Sequence, residues 1–428
     1  MADLKPDIKP VAEPVAKPIA EPITEYVPYI VSWNLTGRCN LSCPHCYMDA
    51  TKQSTDELST EEIFRVMDEL GRIGKMMLVL TGGEPMMRED VYDIVQHASQ
   101  LGFIAVLGSN GTLLREEHLA RLKDCGLRGI GVSIDSVEPA YHDSFRNFPG
   151  AWTLSVNSLR YAKSFGLETQ VDVTITDENC GDLEKFIQLA VDLGAKAINF
   201  FFLVCTGRAT KSFISTENYE ATLHSIASLI MAENRIMVRA RCAPHIYRIM
   251  HQAGMHIPAG TRGCLAGRAY MRIDNHGNVT PCPYMPTPLG NVRQTHLSGI
   301  WNGSGDLTTL RNGTYKGRCA ACEYTEICGG CRARALAHSN DFMEEDSLCK
   351  YEPCGGKKVA VTEDFDAELV WDEDAGKRMK NIPAFMKHMI IGVIETKARK
   401  LGIKQITTQF IDGIKKQGYP KIHEKKPV

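Results

Sequence analysis

Short apolar runs alternate with longer amphipathic stretches between about residue 29 and about residue 204. Six of the short runs are almost continuously apolar, which is typical of parallel strands buried on both faces of a sheet. These runs are YIVSWNL, MMLVLTG, FIAVLGSN, RGIGVSID, TQVDVTIT and AINFFFLV, and they begin at Tyr29, Met76, Phe103, Arg128, Thr169 and Ala197. The pattern therefore predicts six strands separated by helices.

The first amphipathic stretch begins with a helix-capping signal. Ser59 is followed three residues later by Glu62, which is the spacing of a capping box. One helical face then carries the apolar side chains Ile63, Val66, Met67, Leu70 and Ile73. The stretches 151–165 and 182–193 behave similarly, so we expect helices there as well.

Strands and helices that alternate in this order predict the fold class α/β, with a parallel sheet joined by right-handed crossovers. Six strand–helix units, rather than eight, indicate a partial, open (β/α)6 barrel. In such folds the loops that follow the carboxyl ends of the strands build the functional site.

The regions that flank this pattern differ in texture. Residues 1–27 repeat Lys/Glu-Pro-Val/Ile-Ala, and such regular proline predicts a solvated, extended tail. The barrel is predicted for residues 28–240, and residues from about 215 to 255 look helical. Residues 241–356 are rich in cysteine and poor in periodic apolar positions. Residues 360–424 predict a small helical domain, with one helix beginning at Pro383.

The composition excludes some classes of protein. The formal net charge is −2 over 428 residues, which argues against a dedicated nucleic-acid binder. No run of about eighteen apolar residues occurs, so no membrane span is expected. Fifteen cysteines without a secretory signal favour a reducing cytoplasm. There, clustered cysteines more often bind metals or do redox chemistry than form disulfides.

Three of the cysteines directly follow the first predicted strand. Cys39, Cys43 and Cys46 form the pattern CxxxCxxC. Thiolates are soft ligands that suit iron–sulfur clusters, zinc or copper. A four-iron cluster held by three thiolates keeps one iron open for a substrate or cofactor, whereas the motif alone is also compatible with a structural zinc site.

This arrangement resembles the radical S-adenosylmethionine (SAM) enzymes, in which CxxxCxxC follows the first strand of a partial barrel. The resemblance implies a [4Fe-4S] cluster at Cys39, Cys43 and Cys46, with its unique iron chelated by the amino and carboxylate groups of SAM. It also implies that the reduced cluster cleaves SAM to methionine and a 5′-deoxyadenosyl radical, which abstracts a hydrogen atom.

Two further segments resemble the SAM-binding parts of the same family. TGGEP follows the second strand, where Gly82 and Gly83 would let the backbone approach a ligand closely. The resemblance gives Glu84 the role of an acceptor for the methionyl ammonium. Asn110, in SNG after the third strand, occupies the position of a related TNG.

Four more residues receive roles from the resemblance. Ser133, at the end of the fourth strand, and Arg146, in HDSFR, would lie near the ribose and carboxylate of SAM. His45 precedes the last cysteine of the motif, where the family often has an aromatic residue that packs on the adenine. Leu203, after the sixth strand, would also touch the adenine.

The later cysteines resemble the SPASM extension, which holds one or two auxiliary [4Fe-4S] clusters. The resemblance implies two sets of ligands, with Cys319, Cys322, Cys328 and Cys349 in the first and Cys264, Cys282 and Cys331 in the second. By their spacing alone, two CxxC units are as compatible with zinc as with iron–sulfur clusters.

Two departures from the SPASM pattern leave alternatives open. Cys328 and Cys331 are separated by two residues where the family usually has three, and the extra cysteine just upstream of Cys264 is missing. Cys242 could reach in as a ligand, or the site could stay open for a substrate. The remaining cysteines are Cys125, Cys180 and Cys205, which we expect to be buried in helices or strands, and Cys354, which has no assignment.

Two weaker resemblances suggest the substrate. The run from GCLAGRAYMRIDNHGNVTPCPY to CGGCRARALA resembles the radical SAM enzymes of haem d1 and alternative haem biosynthesis, which remove carboxylate side chains from sirohaem-derived iron tetrapyrroles. The C-terminal unit resembles a helical domain of a light-independent protochlorophyllide reductase subunit, on the residues Trp371, Ala375, Ile382, Pro383, Glu395 and Ala398. We therefore expect loss of a propionate or acetate arm, with reduced ferredoxin or flavodoxin as electron donor.

An anionic iron tetrapyrrole would need cations near its carboxylates and ligands for its iron. The candidates are the arginines Arg239, Arg241, Arg262, Arg268 and Arg272 and the histidines His245 and His251. Two other functions are compatible with the sequence: a maturase of a ribosomally made peptide or a partner enzyme, and a non-catalytic zinc scaffold. Pro283 argues against the sulfatase-maturing reaction, because SPASM enzymes of that kind have a proton-accepting aspartate there.

Overall fold

The structure is a computed structural model that describes residues 26–255, 257, 261–359, 369–380, 390–391, 394–395, 397–399 and 401–416. Almost all of the predicted tail lies outside the described residues, as does the start of the helix predicted from Pro383. Within the described residues no helix is long and apolar enough to cross a membrane.

Twelve strands occur in the described part of the chain. They are β1 (Ile30–Asn34), β2 (Met77–Thr81), β3 (Ile104–Ser109), β4 (Gly129–Ser133), β5 (Glu168–Ile175), β6 (Ala197–Phe202), β7 (Met237–Arg241), β8 (Tyr270–Ile273), β9 (Asn278–Thr280), β10 (Gly290–Asn291), β11 (Val370–Trp371) and β12 (Gln405–Ile406). Ten of them form one sheet in the order β10-β9-β8-β1-β2-β3-β4-β5-β6-β7. Strands β1 to β8 pair parallel with one another. Strand β9 pairs antiparallel with both β8 and β10.

Helices follow most of the parallel strands. The described helices are α1 (Thr60–Ile73), α2 (Val91–Gln100), α3 (Glu116–Asp124), α4 (Pro139–Arg146), α5 (Ala151–Ser164), α6 (Leu183–Asp192), α7 (Thr216–Ala232), α8 (His245–Gln252), α9 (Leu297–Gly303), α10 (Gly305–Asn312), α11 (Gly317–Ala321), α12 (Arg332–Ser339), α13 (Glu373–Lys380) and α14 (Thr408–Lys416). A 3-10 turn at Pro85–Met87 follows β2.

The six predicted strands correspond to β1 to β6, and the predicted α/β class is confirmed. The capping box of α1 is also present: the Ser59 hydroxyl accepts from the Glu62 N–H at 3.2 Å, and the Ser59 N–H donates to the Glu62 carboxylate at 2.9 Å. The prediction that residues 215–255 are helical is only partly right, because β7 lies between α7 and α8. The sequence of β7, MVRAR, is short and contains two arginines among its five residues, so its periodicity gave no strand signal.

Several of the parallel strands have one fully buried face and one half-buried face. Along β5, Val171, Val173 and Ile175 are fully buried in the main core together with the apolar faces of the helices, whereas Asp172 and Thr174 are half-buried. The same alternation occurs in β2 and β3. The prediction of strands buried on both faces is therefore wrong for β2, β3 and β5, whereas β1 and β6 are buried along almost their whole length. The second face carries polar side chains on β5, β6 and β7, and it is called the polar face below.

Tyr26 falls inside the predicted tail but packs against the cysteine-rich region. Its backbone carbonyl accepts a hydrogen bond from the Trp301 indole at 2.6 Å, and its hydroxyl donates to Asn312 Oδ1 at 3.2 Å. The Arg311 guanidinium carbon lies 4.8 Å from the centroid of its ring. The extended tail that was predicted for residues 1–27 therefore ends before Tyr26.

The C-terminal unit has a core of its own. Its buried apolar residues form a cluster separate from the main core, and the cluster consists of Leu369, Ala375, Met379, Ile391, Ile394, Ala398, Ile406, Ile411 and Ile414. The Trp371 indole donates to the Glu395 carboxylate at 3.1 Å, so two of the residues that carried the C-terminal resemblance are in contact.

Candidate active site

The loop that connects β1 to α1 carries the first three cysteines. Its entry and exit are fastened to each other, because the Cys39 N–H donates to the Thr51 carbonyl at 2.7 Å and the Thr51 N–H donates to the Gly37 carbonyl at 3.1 Å. Cys39 and Cys43 are buried in a small cluster apart from the main core, and Cys46 packs against that cluster. The structure therefore brings the three predicted thiols together at the carboxyl end of β1.

The surroundings of these thiols disfavour an isolated thiolate charge. Burial raises the pKa of the Cys39 thiol to about 11, and burial also raises the pKa of Cys43. Several N–H groups point at the sulfurs: the Leu41 backbone at 3.4 Å and the Asn110 amide at 3.9 Å from Cys39 Sγ, and the Arg146 guanidinium at 3.9 Å from Cys43 Sγ. Buried thiolates with such donors fit a bound cation, which displaces the protons.

In the described residues, no three histidine, cysteine or acidic side chains converge on a single-ion site. The thiolates of a four-iron cluster bind different iron atoms, so they need not converge on one point. The geometry of this loop is thus compatible with such a cluster.

The two glycines of TGGEP allow a close approach, but the partner is the cysteine loop. A Cβ on Gly83 would lie 2.2 Å from the Arg38 carbonyl oxygen, and one on Gly82, whose φ is +151°, would lie 2.6 Å from the Thr36 carbonyl oxygen. The Gly83 and Glu84 N–H groups donate to those same carbonyls at 2.7 and 2.8 Å. In this structure the glycines therefore join the β2 loop to the β1 loop, whereas the sequence predicted an approach to a ligand.

The Glu84 carboxylate is fully buried and braces the next strand. It accepts hydrogen bonds from the Ser109 hydroxyl and the Asn110 N–H, each at 2.9 Å, and from the Met86 N–H at 3.2 Å. Burial nevertheless raises its pKa to about 7. Its neighbours include Cys39, whose pKa its charge raises further, so a cationic ammonium beside it would be favoured.

Asn110 ties the β3 loop to the cysteine loop. Its amide nitrogen donates to Asn40 Oδ1 at 3.0 Å, and its amide oxygen accepts from the Thr112 N–H and hydroxyl at 2.8 and 2.6 Å. The residue is buried and directly follows β3. The structure therefore places it beside Cys39, on the same edge of the sheet as TGGEP.

Arg146 forms a buried ion pair next to Cys43. Its Nε donates to Asp135 Oδ2 at 2.5 Å, and Asp135 is fully buried. Desolvation alone would lower the pKa of Arg146, but the Asp135 carboxylate raises it above the usual value, so the guanidinium stays charged. Sequence reasoning identified Arg146 but missed Asp135, which lies two residues after Ser133.

His45 is buried with an unpartnered ring nitrogen. Its ring stacks on Phe145 with centroids 4.4 Å apart, and its Nδ1 has no hydrogen-bond partner. Burial lowers its pKa to about 3, so the imidazole is neutral. An unused polar atom at this place fits a bound group with a complementary donor or acceptor, as an adenine has.

Arg208, in the loop after β6, was missed by the sequence analysis. Its Nε donates to the Cys43 carbonyl at 2.9 Å, its Nη1 donates to the Ala50 carbonyl at 2.6 Å, and its N–H donates to the Cys46 carbonyl at 2.9 Å. The adjacent Gly207, with φ +61°, allows this approach, because a Cβ there would lie 2.4 Å from the Cys46 carbonyl oxygen. The loop after β6 thus holds the cysteine loop in place.

The polar face continues the site across the sheet. Ser133, at the end of β4, pairs with Asp172 in β5, and Asp172 Oδ1 accepts from the Asn199 amide at 2.6 Å. Arg241 Nε in turn donates to Asn199 Oδ1 at 3.1 Å. Leu203, which follows β6, is buried. These contacts, which lead from Ser133 to Arg241, show that β4 to β7 present polar groups on one continuous surface.

The five candidate arginines do not form one cluster. Arg239 and Arg241 alternate with Ala240 along β7 and share the polar face. Arg272, on β8, donates to Asn34 Oδ1 at 2.5 Å. Arg268 instead donates to the Leu310 and Arg311 carbonyls, and Arg262 is exposed.

The two candidate histidines do not lie at this surface. His245 is fully buried, and its Nδ1 is 2.7 Å from the Tyr219 hydroxyl, while its Nε2 is 3.8 Å from Asp346 Oδ2. His251 is exposed at the end of α8 and contacts Tyr324 edge to face. The hypothesis that either histidine ligates a haem iron is not supported by these positions.

The later cysteines separate into two groups. In one, burial raises the pKa of Cys282 well above its usual value, and the charges of Cys264, Cys331 and Cys242 raise it further. In the other, burial and then the charges of Cys349 and Cys319 raise the pKa of Cys328. The charge of Cys319 likewise raises the pKa of Cys322, after the larger effect of burial. The assignment of these cysteines to two ligand sets stays a prediction, and Cys242 is a further neighbour of Cys282.

A buried ion pair connects the two groups. Arg334 Nε donates to Asp346 Oδ1 at 2.7 Å, and both side chains are buried. Asp346 Oδ2 also accepts from the Cys331 N–H at 2.7 Å, and its backbone carbonyl accepts from the Cys349 N–H at 3.0 Å. Asp346 therefore fixes one cysteine of each group.

All fifteen cysteines are free thiols. Cys125, Cys180 and Cys205 are only half-buried and lie at a helix end or in loops, so the prediction that they are buried in helices or strands is wrong. Cys354 is exposed and accepts a long contact of 3.7 Å from the Tyr351 hydroxyl.

Comparison with known proteins agrees with this division of the chain. Residues 33–190 match the radical SAM superfamily, and residues 264–332 match the SPASM iron–sulfur cluster-binding domain. The protein named AdoMet-dependent heme synthase of Methanosarcina barkeri is 38% identical over 345 residues, which cover 77% of this chain and 98% of that protein. The chain belongs to the radical SAM superfamily.

Two further comparisons support this radical SAM assignment. The pre-heme d1 synthase of Dinoroseobacter shibae is 30% identical over 347 residues, 75% of this chain and 85% of that protein. Among solved structures, Streptococcus suis SuiB bound to S-adenosylmethionine has the same fold, with a TM-score of 0.64 at 15% identity over 76% of this chain and 78% of SuiB.

The prediction of the family is thus confirmed, and so is the prediction of its cofactors. This radical SAM enzyme uses SAM and a [4Fe-4S] cluster, and its SPASM domain binds auxiliary iron–sulfur clusters. The alternative of a non-catalytic zinc scaffold is wrong.

Proposed function

We propose that this radical SAM enzyme removes propionate or acetate side chains from a sirohaem-derived iron tetrapyrrole in haem d1 or alternative haem biosynthesis. The observation that carries this proposal is the 38% identity to a protein named AdoMet-dependent heme synthase, over 98% of its length. A relative named pre-heme d1 synthase supports the same substrate class.

Cys39, Cys43 and Cys46 are the proposed ligands of the SAM-binding cluster, because they are buried together at the carboxyl end of β1. The proposed SAM-contacting residues lie at the same edge of the sheet, and they are His45, Gly82, Gly83, Glu84, Asn110, Ser133, Arg146 and Leu203. When bound, SAM and this cluster supply a 5′-deoxyadenosyl radical. The chain itself holds the cysteine loop rigid through Arg208 and Asn110, which fixes the reacting geometry.

The substrate carboxylates are proposed to contact Arg239 and Arg241. Both arginines are half-buried on the polar face of β7, where a guanidinium can bind a carboxylate through two parallel hydrogen bonds. Asp172 lies near both and is itself a carboxylate, so it would repel a substrate arm placed beside it and direct the arm toward the arginines.

Loss of a propionate carboxylate after hydrogen abstraction releases CO2 and one electron and leaves a vinyl group. An electron acceptor near the substrate is therefore required, and the SPASM cysteines are proposed to hold it. The proposed ligand sets are Cys319, Cys322, Cys328 and Cys349, and Cys264, Cys282 and Cys331. A reduced ferredoxin or flavodoxin is proposed as the donor to the first cluster, in a reducing cytoplasm, which agrees with fifteen free thiols.

The test is a mass-spectrometric assay. The protein is reconstituted without oxygen, reduced, and mixed with SAM and a sirohaem-derived iron tetrapyrrole that retains its propionates. Formation of deoxyadenosine together with a lighter tetrapyrrole is the expected result, and the mass lost identifies the arm. An Arg241→Gln variant should raise the KM for the tetrapyrrole, whereas the exposed Arg262→Gln control should not.

Deoxyadenosine with an unchanged tetrapyrrole would contradict the proposed substrate while leaving the radical SAM chemistry intact. Peptides encoded beside the gene would then be tested as substrates, which is the maturase alternative.

A further inference from the structure

Cys242 occupies a special place between the barrel and the SPASM domain. It directly follows β7, the strand that carries Arg239 and Arg241, and it precedes α8. Its φ is +55°, a left-handed conformation that non-glycine residues rarely adopt. Residues keep such conformations where their surroundings fix them, which is common at functional sites.

A chain of hydrogen bonds fixes Cys242 relative to Cys331. The Cys242 carbonyl accepts from Arg334 Nη2 at 2.7 Å, and Arg334 Nε donates to Asp346 Oδ1 at 2.7 Å. Asp346 Oδ2 accepts from the Cys331 N–H, also at 2.7 Å. All three contacts involve buried side chains, so the two cysteines cannot move independently.

Cys264 and Cys282 are held in the same group. The Gly267 N–H donates to the Pro281 carbonyl at 3.1 Å, which joins the loop after Cys264 to the residue before Cys282. Cys242, Cys264 and Cys282 all pack against the main core that contains Cys331.

We propose that Cys242 is the fourth protein ligand of the auxiliary cluster held by Cys264, Cys282 and Cys331. This cluster then has a thiolate on every iron and no open corner for substrate, so it serves electron transfer only. Because Cys242 is adjacent to Arg241, the closed cluster also lies next to the strand proposed to bind the substrate. The inference rests on the auxiliary ligand sets proposed above, but it needs no particular substrate.

The test measures the auxiliary clusters alone. The full-length Cys39→Ala, Cys43→Ala, Cys46→Ala variant lacks the proposed ligands of the SAM-binding cluster, so iron that remains belongs to the SPASM domain. Adding Cys242→Ala to it should remove about one iron atom per chain and give the electron paramagnetic resonance signal of an oxidised three-iron cluster. The matched control is Cys205→Ala, a half-buried thiol near the same Arg334. Unchanged iron content and an unchanged spectrum in the Cys242→Ala protein would overturn the proposal.

Two measurements cover the case in which that variant does not fold. Cys242→Ser keeps a ligating oxygen, and it should retain iron while shifting the resonance spectrum of the reduced cluster; an unshifted spectrum contradicts ligation. In the wild-type holoenzyme, an alkylating reagent should label Cys242 only after the iron is removed with a chelator, while the exposed Cys354 is labelled in both states. Labelling of Cys242 in the loaded protein would also overturn the proposal. A failure of the tetrapyrrole assay affects none of these readouts.

Discussion

The cysteine loop after β1 and the cysteines of the SPASM domain differ in what surrounds their sulfur atoms. The loop thiols sit in a small cluster of their own, fastened by backbone contacts and by side chains from neighbouring loops. The SPASM thiols are part of the main core or pack against it, and the buried Arg334–Asp346 pair fixes them. The loop thiols therefore depend on contacts from the loops after β3 and β6 for their positions. The positions of the SPASM thiols depend on the packing of the core instead.

The comparison predicts first that the two regions can be separated chemically. The triple variant Cys39→Ala, Cys43→Ala, Cys46→Ala should form no detectable deoxyadenosine from SAM, because the cluster that binds SAM has lost all its proposed ligands. Iron in the SPASM domain should remain, because its cysteines lie in a different part of the core. Deoxyadenosine by mass spectrometry and iron content are the measurements, with Cys205→Ala as control. Continued SAM cleavage would show that the loop is not the site of chemistry.

The second prediction concerns the stability of the SPASM domain. Asp346→Asn leaves the buried Arg334 guanidinium without its charge partner, and the loss of one member of a buried pair costs about 3–5 kcal/mol of unfolding free energy. Denaturant unfolding of the loaded protein measures the change. The control is Asp341→Asn, which removes an ion pair with the solvent-exposed Lys316, and pairs of that kind contribute little to stability. Equal losses in the two variants would mean that the buried pair does not fix the SPASM core.

The third prediction concerns the fastening of the cysteine loop. Arg208→Ala removes three side-chain hydrogen bonds to that loop, at the Cys43 and Ala50 carbonyls and at the Asp49 carboxylate. Small misplacements of reacting groups are costly, so the rate of deoxyadenosine formation should fall by about 10- to 100-fold. Iron content should stay near that of the wild type, and the exposed Arg235→Ala serves as control. Loss of iron in parallel with activity would instead give Arg208 a role in cluster retention.

The last prediction concerns a pH dependence of stability at Glu84. Its pKa is raised to about 7 in the folded protein, so the folded state binds the proton more tightly than the unfolded chain does. The stability of the cofactor-free wild type, relative to Glu84→Gln, should therefore fall as the pH rises between about 4.5 and about 7. Unfolding free energies of both proteins across this range measure the slope. A difference that is constant with pH would mean that Glu84 is not protonated in the folded state.

Local patterns were sufficient for most of the elements. The strands β1 to β6 and the capped helix α1 depend on the periodicity of neighbouring residues, which the chain carries directly. Local patterns were insufficient for β7, because a segment of five residues with two arginines carries no strand signal. It forms a strand because it pairs with β6. The polar face was also missed, because half-buried residues such as Phe201 and Val79 are apolar by type although they lie opposite the main core.

The sequence by itself indicated which chemistry is present, because Cys39, Cys43 and Cys46 form a motif after the first strand and TGGEP follows the second. It also determined the number of later cysteines and their approximate grouping. Only the tertiary structure decided that Arg208 holds the cysteine loop and that Arg334 and Asp346 link Cys242 to Cys331. Arg208 is 165 positions from Cys43, and Arg334 is 92 positions from Cys242. Contacts over such separations depend on how strands and helices pack, and no local periodicity records them.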